Sequence, residues 1–125
     1  LAPAAEIDVR VLQRADLVVV NETEADWYGS SLDACTGIVA TTRGKGVATL
    51  KKGGDVVAEC SPPAVNVVDT TGAGDTFTAA LSLALIEGQA PADALGFACA
   101  AGAAATTTMG AQPSLPSRAS VEQYL

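Results

Sequence analysis

No histidine occurs among the 125 residues, and the three cysteines, Cys35, Cys60 and Cys99, form no C-x-x-C pair. The first absence argues against a zinc site, and the odd cysteine count excludes a full disulfide framework. Together they point to a reducing cytoplasm. Aromatic residues are scarce, at 4%, so the core must be assembled from Ala, Val and Leu. Positive charge is scarce as well. Seven Lys and Arg stand against fourteen Asp and Glu, a formal net charge of −7, and the seven read as spread along the chain. That argues against a nucleic-acid backbone as partner, while leaving room for a phosphate held by backbone N–H groups. No apolar run is long enough for a membrane span, because the stretch 94–105 is short and rich in Gly and Ala. No secretory leader is visible either. The chain opens LAPAAEIDVR without a methionine, which raises the expectation of a fragment or a processed product.

What is present is enough for one domain over residues 1–125: 49% apolar and 17% charged residues can bury a core. Residues 4–14 read as a helix with Ile7, Val11, Leu12 and Ala15 on one face. Residues 17–20, LVVV, read as a strand buried on both faces, and NETEADWYG as a short helix stopped at Gly29. IVATT (38–42) is a second buried strand. VATLKK, then GGD, then VVAEC reads as a β-hairpin turning at Gly53 and Gly54. VNVV (65–68) leads, as a strand, into DTTGAGDTF (69–77).

After Asp75 the helical pattern is strong, with Phe77, Ala80, Leu81, Ala84 and Leu85 on one stripe and Gly88 placed to end it. Pro91 opens the next helix, MGAQPSLPS is a loop, and a last short helix carries VEQYL. Strands alternating with helices predict an α/β layer fold with a mostly parallel sheet.

DTTGAGDTF places small residues between two carboxylates at a strand-to-helix turn. Gly72 and Gly74 free the backbone and remove side chains that would block a ligand. The first N–H groups of the following helix, with its dipole, suit an anion. Asp75 beside them can accept a proton from a hydroxyl, a pairing that suits phosphoryl transfer to an alcohol. Asp69 is better placed to hold a cation. A plain tight turn with an early acidic helix residue remains the alternative for an isolated G-x-G-D.

The nine residues 69–77 resemble the C-terminal signature of the ribokinase-like (PfkB) carbohydrate kinases. NETEAD resembles that family's N-x-x-E motif, here Asn21 and Glu24. GAQPS (110–114) resembles a loop that closes over a monovalent cation. The resemblance covers the chain from about Asp16 onward, and matches only the family's C-terminal, ATP-binding part. It implies a ribokinase-like fold and phosphorylation by ATP of a sugar hydroxyl, a pentose such as ribose first. Fructose phosphates, nucleosides or 2-keto-3-deoxygluconate remain alternatives, as does a fragment that binds nucleotide without catalysis.

By the same resemblance Asp75 is the base, and Gly72, Ala73 and Gly74 form the anion hole. Asn21 and Glu24 organise Mg²⁺ and the ATP phosphates, although Asn followed three residues on by Glu is equally a helix capping box. A K⁺ site maps to Asp69, Thr71, Ala105, Thr108, Gly110 and Ser114, with Thr108 standing where arginine is often found. The adenine pocket draws on Thr41, Thr42, Gly44, Gly46 and Cys99. There TTRGKG departs from T-x-G-x-x-G, since Arg43 falls where the first glycine is expected. The stretch between NETEAD and IVATT is shorter than the family pattern by roughly one helix. With the N-terminal strands of the family missing, an apolar sheet edge is expected to drive self-association or to take a partner.

Overall fold

The computed structural model describes residues 3–125; Leu1 and Ala2, where the sequence opens without methionine, lie outside the described residues. It contains two compact units, one ending at Glu59 and the other Cys60–Leu125.

In the first unit, β1 (Leu17–Asn21) and β2 (Ile38–Thr42) pair in parallel, with Leu17 opposite Ile38 and Asn21 opposite Thr42. A parallel pair needs a crossover. Here it consists of α2 (Glu22–Tyr28) followed by a 3₁₀ turn, Gly29–Ala34. Gly29, at φ 50°, ends α2 as expected. β3 (Ala48–Lys52) runs antiparallel to β2, and β4 (Asp55–Cys60) is its neighbour, giving the order β1-β2-β3-β4. Gly53 and Gly54 turn the β3–β4 hairpin with φ of 60° and 85°, a left-handed pair that only glycine adopts without strain. The α/β architecture is the expected one, built on a mixed sheet. Its core gathers Leu12, Val18, Val20, Tyr28, Cys35 and Val39. On β1 the fully buried side chains alternate, Val18 and Val20, with Leu17 and Val19 half-buried.

The first helix departs from the expected span. α1 is Val9–Arg14, not 4–14. Asp8 caps it by accepting the Arg10 N–H at 3.0 Å, so the hydrophobic pattern that extends back to Ile7 is cut by a capping residue. Val11 is exposed, and Leu12 alone in the helix is buried.

The second unit is a pair of helices with a connecting loop. α3 (Ala73–Ile86) buries Thr76, Phe77, Ala80, Leu81 and Ala84, four of them on the expected stripe. It ends in a Schellman arrangement: Gly88 N–H donates to Leu85 O at 3.1 Å and Gln89 N–H to Ala84 O at 3.0 Å, with Gly88 at φ 81°. α4 (Pro91–Ala105) starts on the expected proline and packs along α3. A Cβ on Gly102 would stand 3.4 Å from Ala73 O and 3.5 Å from Phe77 Cβ, so the small residues let the two helices come close.

The last helix, α5 (Arg118–Glu122), begins earlier than VEQYL because Ser117 caps it, and it stops before Gln123. Arg118 pairs with Glu87 at 2.6 Å and lies over the Phe97 ring at 5.4 Å. Residues 65–68 form no strand, contrary to expectation. They pair with no described strand, and Val67 and Val68 are exposed. Instead the N–H groups of Val68 and Asp69 both donate to Thr106 O, at 2.8 and 3.1 Å.

One carboxylate holds this region together. Asp69 Oδ1 accepts the Thr71 N–H at 2.9 Å and the Thr71 hydroxyl at 2.7 Å, while Oδ2 accepts the Gly110 N–H at 2.8 Å. The Gly110 donor, then the two Thr71 donors, hold the Asp69 carboxyl below its ordinary range.

Two predictions follow from this packing. A Cβ on Gly37 would lie 2.2 Å from Asp16 O, backbone against backbone, where Ile38 N–H already donates to Asp16 O at 2.8 Å. Gly37→Ala should therefore lose about 1–3 kcal/mol in urea unfolding; an unchanged midpoint would remove this contact from the account. A lowered carboxyl pKa contributes stability above the unfolded-state value, about 3.9, and that stability fades as pH falls through the folded value. Asp69→Asn, whose amide nitrogen cannot accept from Gly110, should lower the urea midpoint at pH 7 and flatten its fall below about pH 4. Parallel pH curves for the two proteins would show that the clamp does not titrate.

Candidate active site

The turn into α3 is built by backbone. Gly72 occupies the cap position at φ 79°, where other residues are strained. Its missing Cβ would lie 3.3 Å from Ala111 Cβ, so the turn and the loop carrying Ala111 are in contact. Ala73 N–H donates to Thr70 O at 3.2 Å, and the Thr76 N–H and hydroxyl both donate to Gly72 O at 2.9 Å. No side chain caps this helix. The N–H groups of Gly74 and Asp75, with no carbonyl one turn back, therefore open outward at the positive end of a 14-residue helix dipole.

Gly74 differs from Gly72. Its φ is not positive, and a Cβ built on it meets nothing within 4 Å. Neither backbone strain nor packing asks for glycine there, yet glycine in a helix costs about 0.5–1 kcal/mol relative to alanine. Asp75, next to it, is exposed and carries its carboxylate in the same first turn. The arrangement sets helix N–H groups, suited to an anion, beside a solvent-accessible carboxylate.

The residues assigned to a monovalent cation fall together within the second unit. Asp69, Thr71 and Gly110 are joined by the clamp, and α4 ends at Ala105, one residue before the Thr106 carbonyl that receives the Asp69 N–H. Ser114 is buried and donates its hydroxyl to Ala111 O at 2.8 Å; Thr108 is exposed. A carboxylate offers about four acceptor positions, and three on Asp69 are filled by chain donors. One lone pair and the loop carbonyls are the donors left for a weakly held cation, and such oxygens fit K⁺ by their chemistry.

The nucleotide residues assigned on the first unit lie at the ends of β1 and β2. Asn21 and Glu24 form the full capping box: Asn21 Oδ1 accepts the Glu24 N–H and Glu24 Oε2 accepts the Asn21 N–H, both at 2.8 Å. Glu24 is buried, and Asn21 stands opposite Thr42 in the strand register. Thr41 is buried, and the Thr42 hydroxyl donates to Val20 O at 3.5 Å. Gly44, at φ 56°, is the left-handed residue of the turn closed by Gly46 N–H to Arg43 O at 2.8 Å. Among the described residues no cluster of three or more His, Cys, Asp or Glu could cage a metal ion.

Cys99, also assigned to the nucleotide, is a buried α4 residue whose thiol is pushed up to about 12, chiefly by burial and then by Cys60. It stays protonated at neutral pH, and its contribution is packing. Sequence reasoning grouped Asp69 with Gly110 through the resemblance but missed their hydrogen bond, since the two lie 41 positions apart and no local spacing signals it. It also missed Ala111, the contact of Gly72.

Residues 3–118 match the pfkB family of carbohydrate kinases. The ribokinase of Bacillus subtilis is 35% identical over 130 residues, an alignment that covers 99% of this chain and 44% of that one. The crystal structure of a ribokinase from Thermotoga maritima superposes with a TM-score of 0.86 at 32% identity, covering 98% of this chain and 46% of that one. The structure of Arabidopsis thaliana ribokinase complexed with ribose and ATP superposes at 0.83 with 32% identity, covering 94% and 43%. The chain thus spans less than half the length of the relatives it matches. With the glycine cradle, the exposed Asp75 and the capped N-x-x-E motif in matching order along a superposable backbone, the chain belongs to the PfkB carbohydrate kinase family.

Proposed function

We propose that the chain serves ATP-dependent phosphorylation of a sugar hydroxyl, with D-ribose converted to ribose 5-phosphate. The observation that carries this reading is Gly74. A helical glycine that the fold does not need, with open space over it and a carboxylate beside it, is accounted for by a ligand that approaches the backbone. The Arabidopsis relative binds ribose and ATP.

In this reading Asp75 takes the proton from the attacking hydroxyl. The N–H groups of Gly74 and Asp75, with Gly72 and Ala73 shaping the turn, stabilise the charge gathering on the phosphoryl oxygens. Donors fixed before the reaction need no reorganisation during it. Mg²⁺ neutralises phosphate charge and keeps several waters when bound. Asn21 and Glu24 suit it through those waters, since Glu24 already accepts one backbone N–H and no carboxylate cage occurs among the described residues. Asp69, Thr71, Ala105, Thr108, Gly110 and Ser114 are the proposed K⁺ loop, and Thr41, Thr42, Gly44 and Gly46 the proposed nucleotide loop. The reading places the protein in the cytoplasm. It also has the outer strand β1 joining a second copy or a further portion of the protein. No described helix is long and apolar enough to cross a membrane.

The coverage of less than half of each relative favours a second reading, in which these 125 residues bind Mg·ATP and do not turn over. Calorimetry with Mg·ATP run beside a ribose phosphorylation assay separates the two: binding without product supports the second, and product from this chain alone defeats it.

Two variants test the chemistry in a turnover-competent protein carrying this sequence. Asp75→Asn should lower kcat roughly 10²–10⁴-fold with the fold intact by circular dichroism, and undiminished turnover would remove Asp75 as the base. Gly74→Ala should split stability from activity. It should raise the unfolding free energy by about 0.5–1 kcal/mol, because glycine is the poorer helix former. It should at the same time cut turnover by filling the cradle. Full activity in a stabilised Gly74→Ala protein would show that the cradle holds nothing.

A further inference from the structure

Two of the three free thiols meet inside the second unit. Cys60, the last residue of β4, opens that unit, and Cys99 lies midway along α4. Their side chains are hydrogen-bonded to each other. The direction of the bonds orders the pair. The Cys60 S–H donates to Ser61 O at 3.5 Å, which leaves the Cys60 sulfur to accept from the Cys99 thiol. A second anchor lies further along the same segment, where the N–H groups of Val68 and Asp69 donate to Thr106 O at 2.8 and 3.1 Å. The stretch from Cys60 to Asp69 therefore meets α4 at its middle and again at its end, and this holds Cys60 in register with the helix.

The two thiols differ in access. Cys99 is buried at 3% exposure, while Cys60 is half-buried and within reach of a small solute. Cys35 does not compete: it is buried in the first unit and donates to Ala15 O at 3.6 Å. A metal does not explain the pair. A structural zinc site takes four ligands, and among the described residues no three of His, Cys, Asp or Glu gather. An accessible thiol backed by a buried one is the arrangement in which oxidation begun on one sulfur is captured by the other. In the reduced protein Cys99 packs α4; the contact gives it a second use.

We propose that Cys60 and Cys99 are a modification site for hydrogen peroxide, which converts the pair to an intramolecular disulfide. The Cys60 sulfur attacks the peroxide and the O–O bond breaks. Cys60 becomes a sulfenic acid, and its proton leaves with the departing hydroxide as water. The Cys99 sulfur then attacks the Cys60 sulfur. The S–S bond forms, the S–O bond breaks, and the hydroxyl leaves with the Cys99 proton as a second water. Two electrons pass from the two sulfurs to the peroxide, so the step needs no other reactant. A dithiol reverses it by thiol–disulfide exchange. The bond ties α4 to the start of the segment that leads into Asp69 and the Gly72 turn. The proposal does not depend on whether the chain phosphorylates a sugar.

The test treats the reduced 125-residue chain with a small excess of hydrogen peroxide and reads its intact mass and its non-reducing peptide map. A monomer lighter by two hydrogens is expected, with Cys60 linked to Cys99, Cys35 still open to alkylation, and full reversal by dithiothreitol. Cys60→Ser should form no cross-link. Cys99→Ala should stop at the Cys60 sulfenic acid, which dimedone traps. The urea midpoint of the oxidised chain should rise by about 1 M or more, because the closed loop restricts the unfolded state. Three thiols still open to alkylation after peroxide would overturn the proposal. So would a link to Cys35 or between chains, oxygen added at Cys60 with no cross-link in the unsubstituted chain, or an oxidised chain with no higher urea midpoint.

Discussion

The second unit depends on the grip of Asp69. Its carboxylate receives three donors from two places in the chain, the adjacent Thr71 and the distant Gly110. Thr106 O, at the end of α4, receives two N–H groups from the same stretch. Between them, these five hydrogen bonds bring the segment before α3, the end of α4 and the loop after it into one body. Gly72 can then hold its left-handed conformation with Ala111 at contact distance. The position of the α3 N-terminus, and with it the direction of the Gly74 and Asp75 N–H groups, follows from a carboxylate that itself need not touch a substrate. A cation held by the same loop would act on a frame already closed, and would meet an Asp69 with most of its acceptor capacity in use.

The glycines show how sequence identity divides between fold and function. Gly72 is required by its φ and by Ala111. Gly102 sits where α4 meets Ala73 O and Phe77, at distances a methyl would fill without overlap. Gly74 has neither reason. Gly96 in α4 also lacks both reasons, so open space alone does not assign a glycine to function; what sets Gly74 apart is its place in the first turn of α3 beside Asp75. That inference needs coordinates, because the letters GAG look alike whichever glycine the fold requires.

Much of the first unit was legible. LVVV, IVATT and the GGD hairpin carry local signals of burial and turn chemistry, and the strands form at those places. α3 and α4 were legible from a hydrophobic stripe, a terminal glycine and an initial proline. The errors came where local pattern competes with a partner. VNVV has strand composition but pairs with no described strand, and the N–H groups of Val68 and Asp69 turn to Thr106 O instead. At α1 and α5 the capping hydrogen bonds of Asp8 and Ser117 moved the boundaries. For the site, the motif residues were readable because their chemistry is local. The Asp69 to Gly110 bond and the Cys60–Cys99 contact were not, since both arise from residues brought together only by the fold.

A chain of net charge −7 with the proposed role in phosphate transfer would face a physical conflict. At long range its field opposes an anionic ligand, and salt shortens that field to about 8 Å at physiological strength. Attraction must therefore act at contact, from groups whose charge is not counted in the sum. The α3 N-terminus supplies such groups, because N–H dipoles hold an anion without any lysine. The hairpin would supply the complement, since the cations are less evenly spread than the sequence reading held: four of the seven, Arg43, Lys45, Lys51 and Lys52, fall in ten residues there. The two solutions differ in selectivity. A backbone cradle is rigid and reads the geometry of the oxygens, whereas a lysine is a point charge on a flexible stem. The proposed base beside the proposed cradle would be tolerated for the same reason: helix N–H groups are dipoles, and Asp75 does not neutralise them as it would a lysine.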